Sequence, residues 1–318
     1  MGNLPSCRVQ EAKPFLKTGI DYAGPFRIVL NRHRGVRSQK AYICLFVCLA
    51  VKAIHIELVS DLSTSNFIQA FKRFLARRGL CTMLYSDRGS NFVGAKSQLK
   101  DLFELIRSEN FKTQIEAELT IKGIQWNFIA PGAPHMGGLW ESNIKSVKSH
   151  LLKIVGDQLL TYEELNTLLI QIECLLNSRP LCVLSSDPAE PIALTPAHFL
   201  TLTPLDRLPA INVMDVNLSR LSRYQLIDHM VQHFWQRWRI EYLHTMQTRE
   251  KWNTLNNPIK IGTIVLLQQP NLPPLQWPLG RIMEVFPGNY GIVRVIGVKT
   301  KNGTYRRPVT KVCPLPTQ

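Results

Sequence analysis

Acidic side chains are scarce in this sequence. Its 318 residues include 23 Asp and Glu but 38 Lys and Arg, which gives a formal net charge of +15. A surplus of this size argues against an acidic surface and favours a polyanionic partner, with nucleic acid as the first candidate. The alternative is a basic protein that binds no polyanion, because charge alone identifies no ligand.

Long apolar runs and paired cysteines are also lacking. The apolar stretch AYICLFVCLAV at residues 41–51 is too short to span a bilayer, and Lys52, His55 and Glu57 follow it closely. The N-terminus has no apolar signal segment. The 7 cysteines have no spacing typical of a structural zinc site or a disulfide framework. We therefore expect reduced, buried thiols in an intracellular protein without a membrane partner.

Hydrophobic periodicity predicts a mixed α/β domain at the start of the chain. Three consecutive strand-like runs, at 18–30, 40–51 and 52–59, predict an antiparallel meander. An amphipathic helix that stops at Gly79 follows, and then a strand that ends at Tyr85. Next come a helical stretch after Asn91, a short strand at 123–130 and two more helices, the second with a Thr161/Glu164 capping box. This order predicts a mixed sheet covered by helices.

The composition changes after about Arg207. A long aromatic and basic segment, LSRYQLIDHMVQHFWQRWRIEYLHTMQTREKW, has helical spacing, and its tryptophans are expected in a core. His229 and His233 lie four residues apart in it, but we expect packing or exposure because no third ligand completes a metal site. Short strands with turns at Gly288-Asn289 and Asn302-Gly303 then predict a small all-β barrel.

Three carboxylates occupy positions that suit a shared site. Asp87 follows the strand that ends at Tyr85, Asp21 lies in the first strand, and Glu141 begins a helix after a glycine-rich loop. A lone Asp at a strand end is usually a turn former. If the first strand is central and the strand ending at Tyr85 pairs beside it, however, Asp21 and Asp87 can face the same point, and Glu141 can complete the group.

Such a group predicts a divalent metal site. Three carboxylates repel one another unless cations neutralise them, and hard cations with oxygen ligands do this best. We therefore expect two Mg²⁺ (or Mn²⁺) ions, whose chemistry is phosphodiester cleavage or transfer. Lys145 and Lys148 follow Glu141 at four and seven residues on the same helical face, where they can hold DNA phosphates. The alternative for these lysines is an ordinary solvated helix face.

Several motifs resemble those of one known family. GIDYAGPF, SDRGSNF and PHMGGLWE are similar to the D, D, E signature of retroviral and retrotransposon integrases, which have an RNase H-like fold. The resemblance is strongest to BEL/Pao-type elements, which carry counterparts of NSRPL, LTPAHFL, HFWQRWRIEYL, WPLGRI and RRPV. The motifs follow one another in the family's order over nearly the whole chain.

The resemblance assigns roles to individual residues. It implies that Asp21, Asp87 and Glu141 are catalytic and bind the metals. The DNA-binding residues that we derive from the resemblance and from charge are Asn91, His135, Lys145, Lys148, Arg306 and Arg307.

The resemblance also implies an activity and a domain layout. The layout is an RNase H-like core with a mixed five-stranded sheet at 1–206, a helical linker at 207–256 and an SH3-like DNA-binding barrel at 257–318. The protein would trim the 3′ ends of element DNA and join them to target DNA, as a homo-oligomer acting in the nucleus. The family's zinc-binding amino-terminal domain has no counterpart, so we expect a truncated product or a polyprotein fragment.

Two other functions stay open at this point. One is a non-catalytic DNA-binding or assembly protein derived from such an integrase, although all three carboxylates of the signature are present. The other is an RNase H-like hydrolase of RNA–DNA hybrids, which the predicted C-terminal barrel and the PHMGGLWE motif disfavour.

Overall fold

The computed structural model of the chain describes residues 11–87, 92–97, 99–100, 124–128, 147–185, 191–247, 259–288 and 293–316. The chain divides into two units, Met1–Glu173 and Cys174–Gln318. This division is coarser than the three predicted parts, whose boundaries stay predictions. Within the residues given above, no helix has both the length and the apolar character that crossing a membrane requires.

The first unit contains the predicted meander. Strands β1 (Lys17–Val29), β2 (Gln39–Cys48) and β3 (Ile54–Val59) pair in antiparallel fashion, with β2 in the middle. All six residues of β3 and the last six of β2 are buried, because helices cover the sheet. Gly24 takes φ 130° where the register with β2 shifts, and a Cβ there would lie 3.1 Å from Cδ1 of Tyr42. The backbone conformation and the close approach therefore both require glycine.

Parallel strands extend the sheet on the other side of β1. β4 (Met83–Ser86) pairs with β1, and β5 (Gln125–Phe128) pairs with β4. The order is therefore β3-β2-β1-β4-β5, which confirms the predicted mixed sheet and the central position of β1. A two-residue strand that the sequence did not indicate, β6 (Leu160–Thr161), also pairs with β1 in parallel.

Two helices of this unit begin and end as the sequence predicts. Helix α1 (Thr64–Arg78) ends at Gly79, whose φ is 85° and whose N–H donates to the Leu75 carbonyl at 2.8 Å. Helix α2 (Tyr162–Asn177) begins with the predicted capping box, in which the N–H of Thr161 donates to Glu164 and the N–H of Glu164 donates to Thr161. The buried face of α1 consists of Phe67, Ala70, Phe71 and Phe74.

The second unit combines a ribbon, two helices and an antiparallel sheet. The ribbon pairs β7 (Cys182–Ser185) with β8 (Ile192–Leu194). Helices α3 (Pro196–Thr201) and α4 (Arg223–Met246) follow. The sheet has the order β12-β11-β10-β9-β13. Its strands are β9 (Ile264–Leu267), β10 (Leu279–Pro287), β11 (Val293–Thr300), β12 (Gly303–Pro308) and β13 (Val312–Pro314).

Several local predictions for this unit were incomplete or wrong. The sequence did not indicate β7, β8 or α3, because short elements give little periodicity. The turn predicted at Asn302-Gly303 is centred one residue earlier, on 301–302, since Thr300 pairs with Gly303 and Gly303 is already the first residue of β12. The SH3-like form of the sheet stays a prediction.

Helix α4 and the C-terminal sheet share a core. Leu243 of α4 is 2% exposed and packs in one cluster with Ile264, Leu266 and Cys313, with Met246 against it. Trp235 and Trp238 are 0% and 6% exposed, which confirms that they are core residues. The six cysteines in the described part of the chain are free, and four of them are buried as predicted, whereas Cys174 and Cys182 are partly exposed. Burial raises the pKa of Cys81 to about 12 and that of Cys313 to about 11, so both stay neutral thiols.

A buried histidine in the first unit lies between two carboxylates. Nε2 of His55 is 3.0 Å from Oε1 of Glu57, and its Nδ1 is 3.3 Å from Oε2 of Glu173. His55 is 1% exposed. Burial alone would lower the pKa of His55, but the hydrogen bonds to Glu173 and Glu57 outweigh burial and raise it. The imidazolium form, which donates from both ring nitrogens, is therefore favoured.

Three arginines of α1 complete this ionic cluster. Arg73 and Arg77 contact Glu57 at 2.7 and 3.1 Å, and Arg78 contacts Glu173. Nε of Arg78 also lies 3.3 Å from Nδ1 of His55, where it can donate only to a neutral ring. The two flanking carboxylates make the protonated ring the better description. The cluster joins β3, α1 and α2 on one side of the sheet.

We predict that replacing His55 with Gln makes stability less dependent on pH. The raised pKa means that the contribution of His55 is complete below about pH 6.5 and is lost as pH rises through the folded-state pKa. Urea unfolding should show the variant less stable than the parent by about 2 kcal/mol at pH 6, with a smaller gap at pH 9. His33→Gln, at an exposed position, is the control. A gap that does not change with pH would contradict the charged form of His55.

Candidate functional site

The pairing of β1 with β4 makes neighbours of the strand that carries Asp21 and the strand that Asp87 follows. Gly19 lies opposite Tyr85, and the parallel ladder ends at this pair. If the register continued for two more residues, which is one full period of a strand, Asp21 would lie opposite Asp87 on the same face. Asp87 comes after the last residue of β4, so the meeting of the two carboxylates stays a prediction. Asp21 is partly exposed and Asp87 is exposed.

The described strands leave part of β1 unpaired on the side of β4. The ladder between β1 and β4 covers Lys17 to Gly19, and the ladder between β1 and β6 begins only at Ile28. Among the described residues, no strand pairs with the intervening part of β1 on this side. The carboxyl end of β4 thus forms one wall of a notch in the sheet, and Asp21 lies on the strand that borders it.

A lysine already neutralises Asp21. Nζ of Lys148 lies 2.6 Å from Oδ2 of Asp21, and each side chain is 28% exposed. The other carboxylate oxygen, Oδ1, accepts the backbone N–H of Tyr22 at 2.7 Å. Lys148 belongs to a helical segment, 147–155, whose Val147 and Leu151 are 1% and 0% exposed. Those apolar contacts fix the segment so that the lysine reaches Asp21.

The end of β4 is held by a buried polar pair. Ser86 is 0% exposed, and its hydroxyl donates to the carbonyl of Asp87 at 2.9 Å and accepts the indole N–H of Trp126 at 2.9 Å. Nζ of Lys96 donates to the Trp126 carbonyl at 3.1 Å and lies over the Phe128 ring. The Ser86 hydroxyl thus holds the Asp87 carbonyl directly, and the Lys96 bond holds the strand that carries Trp126.

Aromatic side chains pack around Tyr22, the residue next to Asp21. Tyr22, next to Asp21, stacks on Phe92 with ring centroids 5.3 Å apart, and Phe92 also contacts Phe67 at 5.1 Å. Gly94 lies two residues after Phe92, and a Cβ there would come 2.5 Å from Oγ1 of Thr64. The glycine therefore lets the chain after Asp87 approach the start of α1 closely. This close approach explains why a glycine follows the motif SDRGSNF.

Other predicted site residues lie outside the described residues. They are Asn91, His135, Glu141 and Lys145. The convergence of Glu141 with Asp21 and Asp87 therefore stays a prediction, as do the roles of the other three. In the part of the chain that the structure describes, no group of three or more His, Cys, Asp or Glu side chains could hold a metal ion.

The described donors suit a hard cation. Asp21 and Asp87 offer carboxylate oxygens, which are the preferred ligands of Mg²⁺ and Mn²⁺. The Lys148 ammonium group already forms an ion pair with Asp21, at 2.6 Å. The carboxylate that we expect to bind a metal ion thus already binds a positive charge.

Arg306 and Arg307 lie next to each other on β12 but point to opposite faces, because side chains alternate along a strand. Arg306 lies 4.7 Å over the Phe286 ring, whereas Arg307 lies 5.4 Å over the Tyr305 ring. Arg307 and Tyr305 also line a groove of about 670 Å³, together with Trp277 and Lys301. The two arginines therefore do not form one patch.

Sequence reasoning missed three residues that support the site. Ser86 and Trp126 carried no signal, because a single serine and a single strand tryptophan are common in any core. Lys96 was not singled out from the helical pattern. The bond of Lys148 to Asp21 was also not anticipated, since helical spacing placed this lysine beside Glu141 and gave no information about β1.

The C-terminal part of the chain matches a known family. Residues 222–315, from the N-cap of α4 to the end of the C-terminal sheet, match a family described as "Family of unknown function (DUF5641)". No curated protein matches the sequence.

Two solved structures of viral integrases resemble the chain. The first is the simian T-cell lymphotropic virus intasome in complex with the PP2A regulatory subunit B56 gamma. It matches 99% of this chain and 84% of that chain, at 13% identity and a TM-score of 0.37. The second is the HTLV-2 integrase catalytic core domain with magnesium, in a trimeric form, which matches 60% of this chain and 99% of that chain at 14% identity and a TM-score of 0.35. At TM-scores below 0.5 neither resemblance establishes a shared fold.

We predict that Ser86 and Trp126 contribute to stability as a pair. Ser86→Ala leaves the buried indole N–H without its acceptor and should cost about 1–3 kcal/mol of unfolding free energy. In Ser86→Ala/Trp126→Phe neither group is left unsatisfied, so the double variant should lose less than the sum of the two single losses. Urea unfolding of all four proteins measures this coupling, and additivity within about 0.5 kcal/mol would contradict it.

Proposed function

We propose that this protein is an integrase-type polynucleotidyl transferase. It trims the 3′ ends of an element's DNA and joins them to target DNA. The observation that supports the proposal is the parallel pairing of β1, which carries Asp21, with β4, which Asp87 directly follows; a register continued by two residues would set both carboxylates on one face. The order of the integrase-like motifs and the net charge of +15 agree with it.

The carboxylates of the chain hold the cofactor. Asp21 and Asp87, with Glu141 as the third carboxylate, bind two Mg²⁺ or Mn²⁺ ions. When bound, two such ions activate an attacking oxygen and stabilise the leaving oxygen of an in-line displacement at phosphorus. Ser86 keeps the backbone of Asp87 in place through its hydroxyl. The attacking group is water in trimming and a DNA 3′-hydroxyl in joining.

Basic and polar residues hold the DNA. Lys148 and Lys145 bind phosphates beside the carboxylates, and Asn91 and His135 position the substrate. Arg306 and Arg307 bind phosphates on the C-terminal sheet, from its two faces. We further propose that the protein belongs to a BEL/Pao-type element, works as a homo-oligomer and acts in the nucleus. A non-catalytic DNA-binding or assembly protein is the alternative.

We predict that each carboxylate is required for strand transfer. Asp21→Asn, Asp87→Asn and Glu141→Gln should each reduce the joining of labelled element ends by about a hundredfold or more, because a metal ligand is lost. DNA binding, which phosphate contacts dominate, should largely remain. Asp157→Asn, at an exposed position on the first unit, is the control.

The outcomes of this assay separate the alternatives. Full activity of Glu141→Gln would show that another residue is the third carboxylate. A parent protein that binds DNA but joins no ends in Mg²⁺ or Mn²⁺ would favour the non-catalytic assembly protein.

We predict that Arg306 and Arg307 contribute to DNA affinity without regard to sequence. Gln at both positions should weaken binding to all duplexes alike and reduce the slope of log K against log salt by up to about two units, since each phosphate contact contributes nearly one. Lys72→Gln/Lys153→Gln removes the same charge from the first unit as a control. An unchanged slope in the arginine variant would assign the C-terminal sheet to protein assembly instead.

A further inference from the structure

The bond between Lys148 and Asp21 sets the lysine in competition with a metal ion. We infer that the Lys148 ammonium is the counter-ion of Asp21 in the metal-free protein. A divalent cation displaces it, and the released lysine then becomes available to a DNA phosphate. The inference deepens the proposed function and rests on it, because it assumes that Asp21 binds metal.

Both oxygens of Asp21 are already engaged. Oδ1 accepts the Tyr22 N–H at 2.7 Å and Oδ2 accepts the Lys148 ammonium at 2.6 Å. A divalent cation at Oδ2 would repel the ammonium group that lies 2.6 Å from this oxygen, so we expect the two cations to exchange. With each side chain only 28% exposed, the bond is partly shielded from water and from salt. Breaking the Lys148–Asp21 ion pair should therefore lower the affinity of Asp21 for a metal ion by a measurable amount.

The local structure suits such an exchange. Val147 and Leu151 on either side of Lys148 are buried and fix the backbone of the helical segment. The four-carbon stem of a lysine is flexible and its charge is a compact point, so the ammonium group can move while the helix stays in place. Displacement therefore needs only rotation about side-chain bonds.

The exchange couples metal binding to DNA binding. While Lys148 is bound to Asp21, its charge is already neutralised, and it contributes little to phosphate binding. Once a cation takes Oδ2, one further lysine can contact DNA. Because coupling free energies are reciprocal, DNA that holds Lys148 must strengthen metal binding by the same factor. Metal and DNA thus assemble cooperatively through one side chain.

Metal binding without DNA tests the competition directly. Mn²⁺ binding to the full chain, followed by electron paramagnetic resonance, should be about fivefold tighter in Lys148→Gln than in the parent, because no ion pair has to be broken. Lys148→Arg keeps the positive charge and should stay near the parent. Lys153→Gln, an exposed lysine on the same helical segment, controls for general charge and should change the affinity less than twofold.

DNA binding supplies the second measurement. Adding Mg²⁺ at constant ionic strength should make the salt slope of the parent about one unit steeper, as one phosphate contact is gained. Lys148→Gln should show no such change. Asp21→Asn, in which Lys148 has lost its charged partner, should have the steeper slope with or without Mg²⁺.

The results distinguish failure of the inference from failure of the proposed function. Mn²⁺ binding that Asp21→Asn does not alter would overturn both, since Asp21 would then bind no metal. Mn²⁺ binding that depends on Asp21 but is unchanged or weaker in Lys148→Gln would overturn the competition alone. Circular dichroism checks that each variant is folded, and Lys148→Ala replaces Lys148→Gln if the amide itself binds Asp21.

Discussion

The short parallel ladder between β1 and β4 is the constraint on which the candidate site depends. It covers only Lys17 to Gly19 on β1, so it fixes the register and then ends. Continued by two residues, the register would set Asp21 and Asp87 on one face, and among the described strands none pairs with β1 beside Asp21 on this side. A one-residue slip would turn one carboxylate to the other face of the sheet. The buried Ser86 and the aromatic packing around Phe92 hold that register in place.

The first unit uses charge in two contrasting ways. The cluster around His55 and Glu57 is buried, and each carboxylate in it has a cationic partner on the same side of the sheet. Its contacts join β3, α1 and α2, so it contributes to the structure. Asp21, in contrast, is paired with a partly exposed lysine, and it lies on the central strand β1. The ion pairs around His55 are therefore structural, whereas the Lys148–Asp21 pair is exchangeable. The difference comes from how deeply each carboxylate is buried and from how many cationic partners it has.

Much of the first unit was predictable because its signals are local and strong. The meander, the glycine that ends α1, the capping box of α2 and the central position of β1 all follow from periodicity and end residues. The strand order also confirms that the strand before Asp87 pairs beside β1, whereas the meeting of Asp21 with Asp87 stays a prediction. The Lys148–Asp21 bond was not predictable, since it joins residues that are far apart in sequence through the packing of Val147 and Leu151. The pairs β1/β6 and β7/β8 are too short to give a pattern.

The small strand β6 has a consequence for the order in which the protein assembles. Ile28 pairs with Leu160, so this contact closes a loop of about 130 residues. Closing a loop of that size costs conformational entropy, which must be lost before the pairing stabilises the sheet. During synthesis the ribosome must deliver Leu160 and Thr161 before β1 has its last neighbour. Completion of the strand that carries Asp21 therefore waits for residues made about 130 positions later, which ties the maturation of the candidate site to translation of the chain as far as β6.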